Sequence, residues 1–270
     1  MSVISIAIQK GGSGKTTTTI NLAAALQRQG ERILLIDADP QANLSQSLGI
    51  LNEPEHNLYT ELKKEMSGED SDIRNAMIEL RPGLALVPSS IDLAAAETEL
   101  VGVFARESVL KSMIDPVRKD FDFIFIDCPH AIGMLTVIAL VASDQVLMPL
   151  QGEFLPLKGV FSFMRQFGLI KKKLNKTIEV LGLVLTRFDE RKTMNVKVRQ
   201  SLHDAFGDKL FSTVIRTNIQ LAQAQERSMD IFTFDKNSHG AQDYEALSKE
   251  FLARMESLPH NINESLNEPH

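Results

Sequence analysis

The feature that most constrains the fold of this chain is a glycine-rich octet between an apolar run and a predicted helix. The octet reads Lys10-Gly11-Gly12-Ser13-Gly14-Lys15-Thr16-Thr17. The apolar run, residues 3–8, predicts a buried strand, and the helix is predicted from Thr17 to Gln29, ending at Gly30. Glycines let successive backbone N–H groups curl around an anion, and a helix start directs its N–H groups and positive dipole end to the same place. The pattern predicts a phosphate-binding loop.

Two residues of the octet carry specific expectations for a bound nucleotide. Lys15 is expected to reach the β- and γ-phosphates, and the Thr16 hydroxyl is expected to bind Mg²⁺. The alternative is a glycine-rich turn that merely caps a helix, and two further motifs argue against it.

Those motifs are apolar runs that each end in carboxylates. Residues 33–36 precede Asp37-Ala38-Asp39-Pro40-Gln41, and residues 123–126 precede Asp127-Cys128-Pro129. A lone Asp after a strand is usually only a turn former. Here both strands can lie beside the first strand of a parallel sheet, with their carboxyl ends at the crevice where ligands bind. The three motifs together predict nucleotide binding.

In this order the motifs resemble the deviant Walker-A ATPases of the ParA/MinD group. The usual phosphate loop has Gly at the position of Gln9 and needs no lysine at the position of Lys10. Residues 153–159 and 235–244 resemble ParA itself, and the resemblance extends from about residue 2 to about residue 255. It implies an α/β P-loop NTPase fold, a mostly parallel twisted sheet with helices on both faces.

The resemblance also implies how the carboxylates and lysines act. ATP with Mg²⁺ would be bound between two subunits, and Lys10 would reach the partner's phosphates, so that Lys10 and Lys15 are both catalytic. A second ammonium there stabilises charge on the transferred phosphoryl group. Asp39 matches the carboxylate that orients the attacking water, and Asp127 matches the Walker-B acid that acts on Mg²⁺. Asp37 is assigned to the metal as well, although it could simply hold the turn. The alternative for Lys10 is that it is a solvated lysine of the loop with no role in catalysis.

The resemblance places the adenine near two loops. One follows the predicted strand Val180–Leu185 and contains Thr186 and Arg187, and the other contains Arg216 and Asn218. His130 stands where family members usually carry a second proline, and we interpret it as a variation of the switch loop.

Composition excludes several related classes. The single cysteine, Cys128, cannot supply the paired thiolates of an iron–sulfur protein or a cluster carrier. Two tyrosines exclude the tyrosine-rich tail of the related tyrosine kinases. The chain end carries no basic amphipathic helix, no run approaches the roughly 20 apolar residues of a membrane span, and no signal peptide precedes the first strand. We therefore expect a cytoplasmic protein that does not bind membranes.

Length and hydrophobic content fit one large domain. The chain has 270 residues, of which 43% are hydrophobic. We expect a single ATPase domain over residues 1–256, a disordered tail over 257–270, and short helices at one edge of the sheet between Leu51 and Arg81. The first strand begins at Ser2 or Val3, which leaves no room for the N-terminal helix-turn-helix of some ParA proteins, so any DNA binding should be non-specific.

The charge distribution is asymmetric. The net charge is −6, but residues 158–216 hold 13 basic and 5 acidic side chains, which leaves 16 basic and 30 acidic elsewhere. Such a basic segment in an acidic protein predicts a polyanion-binding surface, with a solvated basic face as the alternative. Gln220 replaces a basic residue that family members often carry, and Arg216 is expected to compensate. The predicted DNA-binding residues are Lys171, Lys172, Lys173, Arg191, Lys192, Lys197, Arg199 and Arg216.

The resulting hypothesis is an ATP switch. ATP would build a homodimer that binds non-specific DNA on the nucleoid, and a ParB-like or cargo-adaptor partner would stimulate hydrolysis and release. Plasmid or chromosome partition is the main interpretation. The alternatives are the positioning of a protein cargo, such as a carboxysome or chemotaxis cluster, and an ATP-dependent regulator or assembly factor that never uses DNA.

Overall fold

One eight-stranded sheet forms the centre of the molecule. The computed structural model describes residues 1–152 and 156–258. The strands lie in the order β3-β4-β2-β5-β1-β6-β7-β8, and every neighbouring pair is parallel except β3 and β4. Their bounds are β1 Ser2–Ile6, β2 Ile33–Asp37, β3 Ile78–Arg81, β4 Leu84–Val87, β5 Phe123–Asp127, β6 Gln145–Gln151, β7 Glu179–Phe188 and β8 Leu210–Arg216.

Continuous apolar sequence explains the central strands. Every residue of β2 and β5 is buried, because helices cover both faces of the sheet there. β5 lies between β1 and β2, so only one of the two predicted neighbours of β1 pairs with it directly.

Helices cover the sheet on both faces, which confirms the predicted fold class. One apolar cluster joins α3 through α8 to the sheet, and the other joins α1, α2 and α9 through α11. None of the helices in the two described ranges is both long and apolar enough to cross a membrane. The helix bounds are α1 Lys15–Arg28, α2 Asn43–Ser47, α3 Leu58–Ser67, α4 Leu93–Glu99, α5 Val109–Ile114, α6 Met134–Ala142, α7 Pro156–Lys173, α8 Thr193–Phe206, α9 Ile219–Glu226, α10 Ile231–Asp235 and α11 His239–Ser257.

The structure agrees with some of the local secondary-structure predictions and departs from others. The spacing of Val198, Leu202 and Phe206 in the sequence predicts an apolar stripe on a helix from Thr193 to Phe206. That helix coincides with α8, in which Val198 and Leu202 are buried and Phe206 is half-buried. The segment Leu51–Arg81 contains α3 and a 3-10 turn, as expected of short helices, but also the edge strand β3. Of the predicted tail, Ser257 is the last residue of α11, and residues 259–270 lie outside the described residues. Residues 153–155 of the ParA-like stretch also lie outside them.

We expect the substitution Gly182→Ala to destabilise the protein by roughly 3 kcal/mol, because overpacking a core forces backbone shifts. A Cβ on Gly182 of β7 would lie 2.5 Å from the Lys209 carbonyl oxygen and 2.6 Å from the Phe211 ring. Gly168→Ala in α7 is the control, since its Cβ would have no described atom within 4 Å apart from its chain neighbours and the backbone of its own helix, and alanine favours helix. Urea unfolding should show a lower midpoint for Gly182→Ala only. Equal midpoints would refute the packing argument.

Candidate nucleotide-binding site

The site lies at the carboxyl ends of β1, β5 and β2. In the parallel register Ile6 of β1 pairs with Asp127 of β5, and Asp127 pairs with Asp37 of β2. The glycine-rich loop follows β1 directly, so it begins at the same level as both carboxylates. The sequence motifs, far apart in the chain, therefore meet at one edge of the sheet.

The glycine-rich loop has the backbone that its glycines predict. Gly12 and Gly14 adopt positive φ angles of 69° and 93°, and α1 starts at Lys15. The Lys15 side chain is only 8% exposed, and its ammonium donates a 3.3 Å hydrogen bond to the Lys10 carbonyl. The lysine is thus folded back across its own loop, beside the backbone N–H groups at the helix start. This is a positively charged cradle for an anion.

Two side chains from neighbouring strands hold the carbonyl groups of this loop. The Thr186 hydroxyl, at the end of β7, donates a 2.8 Å hydrogen bond to the Ser13 carbonyl. The Gln151 amide, at the end of β6, donates to the Gly12 carbonyl. Thr186, predicted near the adenine, therefore contacts the phosphate loop. The sequence interpretation missed Gln151, because nothing local to β6 indicates which loop its amide will meet.

Asp127 and Asp37 are buried beneath the loop. Asp127 accepts hydrogen bonds from the hydroxyls of Thr16, at 2.7 Å, and Thr19, at 3.2 Å. Burial raises the pKa of both carboxyls to about 7, and the Asp37 charge adds to this effect at Asp127. A cation beside the Thr16–Asp127 pair would favour the ionised carboxylates. The hydroxyl–carboxylate donor set suits Mg²⁺, which prefers oxygen ligands.

Asp37 is engaged by the loop that follows it. One oxygen accepts from the Asp39 N–H at 3.2 Å, and the other accepts from the Ser45 N–H at 2.8 Å and the Ser45 hydroxyl at 2.7 Å. These contacts favour the turn-holding role for Asp37, and its role on the metal stays a prediction. Ser45 was not singled out from the sequence.

Asp39 projects to the cavity above this layer. It is 9% exposed, and its carboxylate accepts the Gln41 N–H at 3.0 Å. The cavity has a volume of about 490 Å³ and is lined by residues 11–17 of the loop together with Asp39. Lys10 is the one residue of the octet that does not line it, although its carbonyl holds Lys15.

The cavity fits a nucleotide. The Ser13 hydroxyl is buried without a hydrogen-bond partner among the described residues, as expected where a phosphate oxygen would lie. The predicted adenine residues Thr186, Arg187, Arg216 and Asn218 all line the same cavity. Lining residues that the adenine and phosphate predictions did not include are Gln41, Asn43, Ser47, His130, Ile215, Leu221, Ala222, Gln225 and Tyr244.

The predicted DNA-binding side chains do not form one compact cluster. Lys171, Lys172 and Lys173 end α7 beside the start of β7, where Lys171 pairs with Glu179. Arg191 and Lys192 lie in the loop after β7, at the opposite end of that strand. Ion pairs engage Arg191 with Asp189 at 2.9 Å and Arg216 with Asp243 at 2.6 Å.

The remaining basic residues lie on the surface. Lys172, Lys173, Lys192 and Lys197 are exposed. Arg199 is exposed as well, and its guanidinium donates to the Ser212 carbonyl at 3.2 Å and lies over the Phe188 ring. The basic residues therefore extend along α7, α8 and the loop before α8.

Comparison with known proteins places this site in a family. Residues 1–180 match the AAA_31 family model, described as an AAA domain. The chain is 38% identical over 252 residues to the sporulation initiation inhibitor protein Soj of Bacillus subtilis (strain 168), which covers 93% of this chain and 98% of Soj. It is 37% identical over 257 residues to the chromosome partitioning protein ParA of Caulobacter vibrioides (strain NA1000 / CB15N), with coverage of 94% and 95%.

A solved structure shows the same fold with nucleotide bound. The crystal structure of cobyrinic acid a,c-diamide synthase from Mycobacterium smegmatis, with bound ADP and magnesium, is similar with a TM-score of 0.80 and 32% identity, over 95% of this chain and 96% of that one. The glycine-rich loop with its extra lysine, the two carboxylate motifs and the full-length similarity agree. The chain therefore belongs to the ParA/Soj family of P-loop ATPases with a deviant Walker-A loop.

Proposed function

We propose that the protein is a partition ATPase that binds and hydrolyses ATP as a dimer. The observation that carries this proposal is the convergence of Lys15, Thr16 and Asp39 on one cavity, with Asp127 buried beneath it and hydrogen-bonded to Thr16. The loop N–H groups and Lys15 would hold the phosphates, and Thr16 with Asp127 would hold Mg²⁺. Bound Mg²⁺ neutralises charge on the phosphate oxygens. Asp39, at the cavity wall, would orient the attacking water, as the family resemblance implies.

Dimerisation would supply a second lysine to the phosphates of each bound ATP. Lys10 lies in the phosphate loop, is half-buried and does not line its own cavity. Its ammonium would reach the phosphates of a second subunit, as the family resemblance implies. A second copy facing the loop would bring an additional positive charge to the phosphates. Because that charge arrives only on assembly, hydrolysis would depend on dimer formation.

Non-specific DNA is the proposed polyanion. The exposed lysines of α7, α8 and the preceding loop lie in the segment with the local excess of 13 basic over 5 acidic residues. Two copies in one dimer would double the phosphate contacts, which raises affinity and steepens its salt dependence. A ParB-like protein would stimulate hydrolysis, and the protein would then release the DNA. The cycle of binding and release would take place on the nucleoid, in the cytoplasm. Plasmid or chromosome partition is supported by the similarity to Soj and ParA along nearly the whole chain.

DNA binding with ATP, with ADP and without nucleotide, each at two salt concentrations, tests this proposal. We expect binding only with ATP, and we expect Lys172→Ala/Lys173→Ala to flatten the slope of log affinity against log salt. Each lost phosphate contact makes that negative slope less steep by about 0.9. Lys63→Ala/Lys236→Ala removes the same charge from exposed positions outside the basic segment and should leave the slope unchanged. Absence of ATP-dependent binding would favour the regulator that never uses DNA.

A further inference from the structure

A buried amide in α8 connects two parts of the molecule that the proposed function assigns to different tasks. Asn195 is only 2% exposed, although it lies in the first turn of a helix whose neighbouring residues face solvent. Its Nδ2 donates to the Gly152 carbonyl at 2.7 Å, and its Oδ1 accepts the Asp189 N–H at 2.8 Å. Burial of an amide is costly unless both ends are hydrogen-bonded, so these two contacts define its position.

One side of this amide leads to the phosphate loop. Gly152 directly follows Gln151, whose side-chain amide donates to the Gly12 carbonyl. Gln151 itself is buried, at 6% exposure, whereas Gly12 is exposed. Gly152 and the Asn195 side chain are closely packed, since a Cβ on Gly152 would lie 2.9 Å from that side chain. Gly12 and Asn195 are therefore connected through Gln151 and Gly152.

The other side leads to the loop that carries Arg191. The Asp189 carboxylate accepts the Arg191 backbone N–H at 3.1 Å and its guanidinium at 2.9 and 3.0 Å. The Arg191 side chain is 89% exposed beyond this contact. The Asp189 carbonyl also accepts the Lys192 N–H at 3.0 Å. Asp189 thus contacts both basic residues of this loop, Arg191 through its carboxylate and Lys192 through its backbone carbonyl.

We propose that Asn195 is a positioning residue that couples phosphate binding at the glycine-rich loop to the placement of Arg191 and Lys192. Phosphate bound to the loop N–H groups reorients the Gly12 peptide, and the hydrogen bonds through Gln151 and Asn195 carry that change to Asp189. The coupling to DNA rests on the proposed function, whereas the mechanical coupling between the two loops does not. Reciprocity requires that a ligand on the Arg191 loop change nucleotide affinity by the same factor.

Trypsin cleavage after Arg191 and Lys192 tests the coupling without DNA. In the wild type, AMPPNP with Mg²⁺ should change the cleavage rate at these bonds by about fivefold or more, the lower end of typical coupling between sites. Asn195→Ala removes both hydrogen bonds and should remove that dependence while AMPPNP still binds. Gln200→Ala removes an exposed amide from the same helix and should behave as wild type.

A second variant keeps the test independent of any folding defect of Asn195→Ala. Gln151→Ala removes the hydrogen bond to the Gly12 carbonyl. Measured at saturating AMPPNP, it should also remove the dependence of the cleavage rate on the nucleotide. Because the two contacts act in series, the double variant should be no worse than either single variant. Wild-type dependence in either single variant, with AMPPNP bound, would overturn the inference.

The same proteins then separate this inference from the proposed function. If the wild type binds DNA with AMPPNP, Asn195→Ala should bring the ratio of DNA affinities with AMPPNP and ADP close to one. If the wild type binds no DNA with any nucleotide, the proposed function fails, and the cleavage experiment still decides the inference.

Discussion

The substitution Lys15→Ala should abolish ATP-dependent dimerisation. The Lys15 ammonium lies at the wall of the cavity and is held over its loop by the Lys10 carbonyl, so it is placed to bind phosphate oxygens on entry. A hydrogen bond to a charged group contributes about 1.5–3 kcal/mol, and each 1.4 kcal/mol is tenfold in affinity. Loss of contacts to two phosphates should therefore weaken ATP binding on the order of 100-fold. Titration with a fluorescent ATP analogue measures this loss.

Lys10→Ala is the matched control for this experiment. It removes the same side chain from the same loop, but Lys10 does not line the cavity of its own subunit. We expect it to bind ATP as a monomer nearly as well as the wild type and yet to fail in hydrolysis. Equal ATP affinities of wild type and Lys15→Ala would show that the cavity is not the phosphate site.

The substitution Asp39→Ala should give the second large effect, a loss of hydrolysis of about 10²- to 10⁴-fold, the usual contribution of a positioned acid–base group. The carboxylate lies in the cavity wall, where it accepts a 3.0 Å hydrogen bond from the Gln41 backbone N–H. Nucleotide binding should persist, because the loop and the Thr16–Asp127 pair remain. The ATP form should therefore accumulate and stay on DNA. Phosphate release and DNA dissociation measure the two consequences.

Asp92→Ala provides the control, since that exposed carboxylate precedes α4 and lies away from the nucleotide cavity. It should hydrolyse ATP at the wild-type rate. Normal hydrolysis by Asp39→Ala would instead remove Asp39 from the mechanism and leave the activation of water without an assigned residue.

The sequence predicted the centre of the site because that centre is encoded locally. Positive φ angles at Gly12 and Gly14, a lysine at the helix start and an aspartate at each strand end are all properties of short segments. Parallel pairing then brings Asp37 and Asp127 side by side without further information. The helix α8 was predictable for the same reason, since its apolar period lies within 14 residues.

The supporting contacts were not predictable, because each joins residues that are distant in the chain. The contacts of Gln151 with Gly12 and of Asn195 with Gly152 can be predicted only when the order of the strands in the sheet is known. Counting charge likewise does not reveal ion pairing, which engages Lys171 with Glu179 within the predicted basic segment. The edge strand β3 was missed because its four residues, only partly buried or exposed, give little apolar signal.

The central claim is that ATP joins two copies of this chain through their phosphate loops. Light scattering of Asp39→Ala with Mg²⁺ and ATP, in the absence of DNA, tests it directly. We predict a mass twice the 30.0 kDa of the chain, and the single-chain mass with ADP or when Lys15→Ala is added. A mass of 30.0 kDa for Asp39→Ala with ATP bound would contradict the account.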